Sequence, residues 1–230
     1  MQPIRSLLFS LLFYPGTLLF VITGILAGII STPAMLRVVL GWAQFNHWLA
    51  RNVLGITVEV DGVVPPGAYL IAVKHQSMFE TIEMLRIARI PIIVLKRELA
   101  DLPLFGRLTR RYGIISVDRE AGAKALREML ADAKAARATG RPVVIYPEGT
   151  RVAPGTTPPL RAGFAGMYRA LGLPVVPVAM DSGLLFRRGH TKRSGTIHFK
   201  VGAVIPAGLK RDELEQRVHA AINALEHLAP

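Results

Sequence analysis

A histidine and a carboxylate lie close together in the sequence, where an apolar run ends and a helical stretch begins. The two residues are His75 and Glu80, five positions apart. A histidine of ordinary pKa, about 6.5, can accept a proton at neutral pH. A carboxylate on its other ring nitrogen would fix the tautomer and stabilise the imidazolium. The spacing therefore predicts His75 as a general base with Glu80 as its partner, without a paired nucleophile.

Glu80 also fits a structural role. Ser77 and Glu80 have the spacing of a capping box, in which the serine caps a helix and the carboxylate accepts the backbone N–H of that serine. The residue types alone do not separate a catalytic Glu80 from a capping Glu80, and one carboxylate can do both.

A second charged group follows another apolar run, at residues 143–146. The run breaks at Pro147 and Gly149, and the break carries Glu148 and Arg151. Arg151 could bind a phosphate through two parallel hydrogen bonds while amides of the turn donate beside it. The alternative is a surface turn with an ion pair between Glu148 and Arg151, which would contribute little stability. This block alone leaves both interpretations open.

Two further cations follow apolar runs and could face the same cleft. Lys96 comes directly after the run at 92–95, and Arg119 comes just after the run at 114–117. The alternative is a solvated charged edge, with Asp118 capping the next helix. We predict a functional role for Arg119 and keep Lys96 as a candidate substrate ligand.

These residues belong to an alternation of β-branched runs and helical stretches that begins after Arg51. The runs predict strands at 56–60, 69–73, 92–95, 114–117, 143–146, 175–178 and 197–201. Helices are predicted at 77–89, 119–138, 161–171 and 211–228. The alternation predicts an α/β catalytic domain over residues 51–230, with a largely buried mixed sheet and flanking helices.

Residues 1–50 predict a membrane-anchoring segment. No residue from 6 to 36 is charged, and the apolar stretch at 7–30 exceeds the ~20 residues that a helix needs to cross the hydrocarbon core. The stretch is too long for a cleaved signal peptide, so we expect it to be retained. The alternative to one span is a pair of shorter helices, interrupted at Pro15-Gly16 and followed by Pro33, that dip into one leaflet and return.

Aromatic residues follow this segment at helical spacing. Trp42, His47 and Trp48 lie on a stretch that suits an amphipathic helix at the membrane interface. The alternative is that these side chains pack on the catalytic domain, and both interpretations stay open.

The composition disfavours several classes of function. The net charge is +12, and clusters of basic residues near 107–127 and 187–193 suit anionic lipids or phosphate substrates. Nucleic acid is a poorer partner because the basic residues form no recognisable motif and aromatic residues are only 7%. The absence of cysteine excludes disulfides, thiolate zinc sites and a cysteine nucleophile. The other histidines show no ligand spacing with carboxylates, so we expect no metal.

Taken in order, four blocks of this sequence resemble the glycerolipid acyltransferase family. The blocks are His75-x4-Glu80; Lys96-x-Glu98-Leu99 with residues 113–119; Tyr146-Pro147-Glu148-Gly149-Thr150-Arg151; and Val176-Pro177-Val178-Ala179. The similarity covers about residues 70–183, and the third block is its most specific part. The family pattern has an aspartate where this chain has Glu80.

The resemblance implies an enzyme that acts at a membrane. The most similar branch transfers a fatty acyl group from acyl-CoA or acyl-acyl carrier protein to the free sn-2 hydroxyl of 1-acylglycerol-3-phosphate (lysophosphatidic acid). The product is phosphatidic acid, and no cofactor is needed. We therefore expect the bacterial inner membrane, with the catalytic domain on the cytoplasmic side. Another lysolipid acceptor, such as lyso-ornithine lipid, and a non-enzymatic lipid-binding scaffold are the alternatives.

The resemblance also implies a role for each matching residue. His75 is the general base and Glu80 its orienting partner. The implied substrate ligands are Lys96, Arg119, Glu148, Gly149, Thr150 and Arg151 for the glycerol phosphate, and Pro177, whose block is associated with the acyl donor or with cleft shape. The chain has neither a cysteine nor a Gly-x-Ser-x-Gly sequence, and Ser77 suits a helix cap. Direct transfer without an acyl-enzyme is therefore expected.

Overall fold

One mixed β-sheet forms the scaffold of the catalytic domain. The computed structural model describes residues 2–117, 122–186 and 191–226. In these residues the strands are β1 (Ile56–Asp61), β2 (Leu70–Val73), β3 (Ile92–Lys96), β4 (Ile115–Val117), β5 (Val143–Ile145), β6 (Val175–Met180) and β7 (Gly195–Val201). Their order is β1-β7-β6-β2-β5-β3-β4, and only β6 and β7 are antiparallel neighbours. The predicted mixed sheet is confirmed.

Helices flank this sheet and precede it. They are α1 (Gln2–Ile30), α2 (Thr32–Leu49), α3 (Phe79–Ile87), α4 (Arg97–Ala100), α5 (Phe105–Tyr112), α6 (Gly122–Ala138), α7 (Ala162–Leu171) and α8 (Arg211–Ile222). The helix predicted at 77–89 is shorter, because Arg89 and Ile90 take φ angles of 54° and 63° that end it. The helix predicted at 211–228 ends early at Asn223, whose side chain accepts a hydrogen bond from Lys74 instead. The predicted helix start at Arg119 lies outside the described residues.

Side chains alternate along the central strands and give the sheet two apolar faces. On β2, Leu70 and Ala72 point to one face, and Ile71 and Val73 point to the other. The first face packs against α6, α7 and α8, and the second packs against α1, α2, α3 and α5. A sheet buried on both faces explains why its central strands are continuously apolar in sequence.

The N-terminal segment is an antiparallel pair of helices. Helix α1 continues through Pro15, so the predicted interruption at that residue is wrong. The chain turns at Ser31, which is extended and caps α2 by accepting the backbone N–H of Ala34 at 3.2 Å. Pro33 lies in the first turn of α2, where its missing N–H costs no helical bond. The pair is therefore one long helix followed by a shorter one.

The outer face of α1 is apolar and exposed. Its most exposed large side chains include Ile4, Leu7, Leu11, Leu19, Ile29 and Ile30. Among the described helices, α1 alone is long and apolar enough to cross a membrane. Its inner face packs on the catalytic domain through Phe9 and Phe13, which belong to the same core as β2. Contiguous exposed apolar surface of this extent is typical of a lipid-contacting element.

The aromatic residues of α2 divide between the two predicted roles. The indole N–H of Trp42 donates to the Thr17 hydroxyl at 3.0 Å, so Trp42 packs inside the helix pair. His47 Nδ1 lies 3.2 Å from Glu83 of α3 and joins α2 to the catalytic domain. Trp48 is 54% exposed, which suits the interfacial role.

Candidate active site

His75 and Glu80 meet at the carboxyl end of β2. His75 is in the loop between β2 and α3, and Glu80 is in the first turn of α3. The Nδ1 atom of His75 lies 2.8 Å from Oε1 of Glu80. Glu80 is fully buried, whereas the His75 side chain retains some exposure. With Nδ1 directed at the carboxylate, Nε2 is the ring nitrogen that can exchange a proton with a substrate.

The Glu80 carboxylate accepts hydrogen bonds from several further donors. Oε1 accepts the backbone N–H groups of Gln76 and Ser77, at 2.8 and 2.7 Å. Oε2 accepts the hydroxyls of Ser77 and Ser182, at 2.7 and 2.6 Å. The Ser77 hydroxyl in turn accepts the backbone N–H of Phe79 at 3.0 Å. The carboxylate thus makes the capping contact and the histidine contact together.

These donors keep Glu80 ionised in a buried place. Burial alone would raise the pKa of the Glu80 carboxyl, because it disfavours the charged form. The hydrogen bond and charge of His75 and the hydrogen bonds of Ser182 and Ser77 outweigh burial and lower that pKa below 4.5. An ionised carboxylate at this distance stabilises a protonated His75.

The loop after β5 holds His75 by its backbone. The N–H of His75 donates to Oε2 of Glu148 at 2.8 Å, and its carbonyl accepts the N–H of Val152 at 2.8 Å. The ring of Tyr146 lies beside the imidazole, with centroids 4.2 Å apart. The third sequence block is therefore in direct contact with the first.

Glu148 is buried against a lysine that the sequence analysis missed. Lys74 is fully buried, and its Nζ lies 2.8 Å from Oε1 of Glu148. Lys74 also donates to the Thr156 carbonyl and to Oδ1 of Asn223, each at 2.6 Å. Burial raises the pKa of the Glu148 carboxyl, although Lys74 opposes this shift. The Glu148 side chain faces inward, and its role as a glycerol phosphate ligand stays a prediction.

The rest of the third block turns outward. Gly149 has φ = 71°, and a Cβ there would lie 2.9 Å from Cγ of Arg161, so the turn favours glycine. Thr150 and Arg151 are exposed. Arg151 lines a cleft together with Gln76 and Ser77 of the catalytic loop. A cation therefore lies where an anionic substrate group could approach His75.

The remaining predicted ligands occupy different positions. Lys96 ends β3 and pairs with Glu98. It shares the carboxyl edge of the parallel strands with His75 and Glu148. Pro177 is buried inside β6 and pairs with Ala72 of β2, so it affects the shape of the sheet next to the loop that carries His75. Arg119 lies outside the described residues. Within those residues, no three His, Asp or Glu side chains are grouped to hold a metal.

An apolar cavity lies between the N-terminal helices and the catalytic domain. Its lining comprises Phe20, Val21, Val39, Trp42, Thr81, Ile82, Leu85, Ile93, Leu95, Phe105, Leu108, Thr109, Tyr112 and Ile114. Thr81 is the neighbour of Glu80, so the cavity reaches α3, the helix that carries Glu80. An almost wholly apolar lining suits an alkyl chain.

This chain is similar in sequence to known acyltransferases. A family model described as Acyltransferase matches residues 55–181. The 1-acyl-sn-glycerol-3-phosphate acyltransferase of Pseudomonas aeruginosa is 34% identical over 96% of this chain and 90% of its own length. The 1-acyl-sn-glycerol-3-phosphate acyltransferase alpha of Bos taurus is 27% identical over 93% of this chain and 76% of its own length.

The fold also matches a solved structure. The crystal structure of the 1-acyl-sn-glycerophosphate acyltransferase PlsC from Thermotoga maritima superposes with a TM-score of 0.78 and 21% sequence identity. The match covers 99% of this chain and 97% of that one, N-terminal helices included. Because the family model matches more than half of the chain and the Pseudomonas relative is 34% identical, this chain is a member of the acyltransferase family.

Proposed function

We propose that this chain transfers a fatty acyl group from an acyl thioester to the sn-2 hydroxyl of 1-acylglycerol-3-phosphate, giving phosphatidic acid. The observation that carries the proposal is the His75–Glu80 dyad, whose chain neighbours line two different spaces. Gln76 and Ser77 line a cleft that contains Arg151, and Thr81 lines an apolar cavity. The bacterial and mammalian relatives bear the name of this activity. A charged cleft and an apolar cavity close to a general base suit a lysophospholipid with one phosphate and one chain.

The reaction that this site supports is direct acyl transfer. His75 Nε2 removes the proton of the acceptor hydroxyl as its oxygen attacks the thioester carbonyl. The C–S bond then breaks, and His75 returns the proton to the leaving thiolate. General-base catalysis of this kind contributes typically ~10² to 10⁴ in rate. The Ser77 hydroxyl donates to Glu80 rather than to His75, which supports a route without an acyl-serine.

The substrates fit different parts of the site. The acceptor phosphate binds Arg151, with Lys96 as a further cation at the same edge of the sheet. Arg119, whose position the structure does not describe, stays a further ligand implied by the sequence. The turn at Gly149 and Thr150 lies beside the position of the acceptor phosphate, while Glu148 accepts the backbone N–H of His75. An acyl chain occupies the apolar cavity beside α3. The donor is acyl-CoA or acyl-acyl carrier protein, and the chemistry is the same for both.

The enzyme works at a membrane, with α1 in the lipid. The exposed apolar face of α1 and the net charge of +12 support this placement. We place it at the bacterial inner membrane with the catalytic domain on the cytoplasmic side. Helix α1 either spans the bilayer or dips into one leaflet with α2. Labelling of a Ser31→Cys variant separates these two arrangements, because Ser31 lies at the turn between the helices. The measurement is the accessibility of that cysteine to a membrane-impermeant label.

A panel assay tests the proposed reaction. Purified protein in vesicles receives either donor and a set of lysolipids, among them 1-acylglycerol-3-phosphate and lyso-ornithine lipid. We expect radiolabelled acyl chains in phosphatidic acid. Label in another lipid alone would refute the acceptor assignment, and the absence of transfer to every acceptor would favour a lipid-binding scaffold.

A further inference from the structure

A cleft opens between α1 and the catalytic loop. Its lining comprises Phe9, Ser10, Phe13, Tyr14, Gln76, Ser77, Met78, Arg151, Phe186 and Lys192. Two of these residues, Arg151 and Lys192, are cations, and no carboxylate belongs to the lining. The cleft thus borders the loop that carries His75 and has an uncompensated positive charge.

Lys192 is held at this cleft by the N-terminal helix. Its backbone N–H donates to the Ser6 hydroxyl at 2.8 Å. Its ammonium lies 4.9 Å from the ring centroid of Phe186 and 5.5 Å from that of Phe9. These two rings pack edge to face against each other. Backbone and side chain are therefore both fixed by neighbours on α1 and near the end of β6.

The surroundings of Lys192 leave its charge without an anionic partner. Partial burial lowers the pKa of the Lys192 ammonium. Aromatic faces attract a cation but carry no net charge to neutralise it. Across the described residues, no carboxylate lies within ion-pair distance of Lys192. A partly desolvated, preorganised cation binds an anion more strongly than a solvated one does.

We infer that Lys192 is a further ligand for the phosphate of the acceptor and works together with Arg151, which lines the same cleft. The inference rests on the proposed function and adds a residue outside the four sequence blocks. It selects a phosphate monoester over an acceptor that lacks phosphate. Because Ser6 and Phe9 belong to α1, the membrane helix itself completes the headgroup site. Headgroup recognition is thereby coupled to the docking of α1.

Lys192→Met removes the charge and keeps an unbranched chain between the two rings. The backbone bond to Ser6 remains, and a methionine sulfur packs well against aromatic rings. Lys200→Met is the matched control, since Lys200 is exposed on β7 and lines a different cleft. Lys192→Arg restores the charge. Thermal unfolding of all three variants checks that the fold is retained.

The test compares two acceptors at a saturating donor concentration. A hydrogen bond between two charged groups is stronger than a neutral one, so the KM for 1-acylglycerol-3-phosphate should rise about tenfold or more in Lys192→Met. The low rate with 1-acylglycerol, which lacks the phosphate, should stay unchanged, and Lys192→Arg should restore most of the affinity. Lys200→Met should match the wild type.

Three results would overturn this assignment. One is an unchanged KM for the phosphate acceptor in Lys192→Met. Another is an equal loss of activity with both acceptors, and the third is a loss that follows weaker vesicle binding. Either of the last two would assign Lys192 to the docking of α1 or to anionic lipid.

A binding measurement keeps this test separate from the proposed reaction. Phosphorus NMR would follow glycerol 3-phosphate as it is titrated into each protein, without any turnover. Weaker binding to Lys192→Met than to Lys200→Met supports the phosphate site even if no lysolipid is acylated. Equal binding to the two variants refutes it even if the wild type makes phosphatidic acid.

Discussion

At the residue scale, the two carboxylate oxygens of Glu80 make different contacts. Oε1 faces His75 and two backbone amides, and Oε2 faces two serine hydroxyls. Both structural and catalytic contacts therefore depend on one charge. The extra methylene relative to the aspartate of the family pattern does not prevent the 2.8 Å contact with His75.

Glu80→Gln separates these contacts, because glutamine can accept hydrogen bonds but does not stabilise an imidazolium as a carboxylate does. We expect the rate constant kcat to fall by roughly 10² or more, as for the loss of an orienting carboxylate. Initial rates with the phosphate acceptor measure this fall, and circular dichroism reports the fold. Full activity in Glu80→Gln would leave Glu80 with the capping role alone.

The low pKa of Glu80 also predicts how stability depends on pH. A carboxyl whose pKa is lower in the folded chain stabilises the fold above its unfolded pKa, and this contribution is lost as pH falls through the folded value. The difference in unfolding free energy between the wild type and Glu80→Gln should be constant near neutral pH and shrink below about pH 4.5. Urea titrations from pH 7 to about 3 would measure it. A difference that grows as the pH falls would contradict the assigned ionisation.

The dyad was predictable from sequence, but its supporting residues were not. His75 and Glu80 lie on one short segment, where local spacing decides what can touch. Ser182 comes from 102 positions away, and Asn223 reaches Lys74 from 149 positions away. Such contacts depend on how the sheet brings distant loops together, and no local pattern encodes them. Lys74 did carry a signal, since a lysine directly after a buried strand needs a partner.

At the element scale, the loop after β5 fixes the loop after β2. Glu148 and Val152 bond to the two backbone groups of His75, so the two adjacent parallel strands present their loops as one unit. The strands themselves were predictable from short apolar runs. Their order was not, because β7 returns to lie between β1 and β6 by long-range pairing.

Glu148 and Arg151 are three residues apart in this loop and should respond differently to substitution. Among the described residues, Glu148→Gln leaves the buried Lys74 with one carboxylate, that of Glu226 at 3.5 Å, beside its neutral partners Thr156 and Asn223. We expect a loss of about 3 kcal/mol in the free energy of unfolding, as for other broken buried pairs, together with a lower kcat. Chemical denaturation and initial rates would measure both quantities.

Arg151→Ala should change substrate binding rather than stability. Its side chain is exposed, so the free energy of unfolding should stay within about 0.5 kcal/mol. The KM for the phosphate acceptor should rise about tenfold or more, with a smaller change in kcat. The interpretation fails if Arg151→Ala destabilises the fold and Glu148→Gln does not.

At the scale of the whole molecule, the membrane segment and the catalytic domain share one core. Phe9 of α1 packs on the ring of Phe186, and Phe79 of α3 packs on the same ring. Composition predicted an anchor at 1–50 and a domain at 51–230. The apolar period of α1 could not show that its inner face packs on protein, because lipid and protein interiors select the same residue types.

Removal of residues 2–30 should therefore affect more than membrane binding. The truncated chain exposes Phe186 and one wall of the apolar cavity, so we expect a lower melting temperature and aggregation without detergent. Differential scanning calorimetry and vesicle flotation would measure stability and binding. A soluble truncated chain with unchanged melting temperature would show that α1 serves as a tether only.

A matched pair of histidine variants tests whether His75 is the general base. His198 is the control, since its Nδ1 lies 2.7 Å from Asp181 in another cleft. In vesicles with a saturating acyl thioester and 1-acylglycerol-3-phosphate, His75→Ala should lower kcat by ~10² to 10⁴ while retaining the fold, and His198→Ala should retain wild-type turnover. Turnover at the wild-type rate by the His75→Ala protein would show that His75 is not the general base.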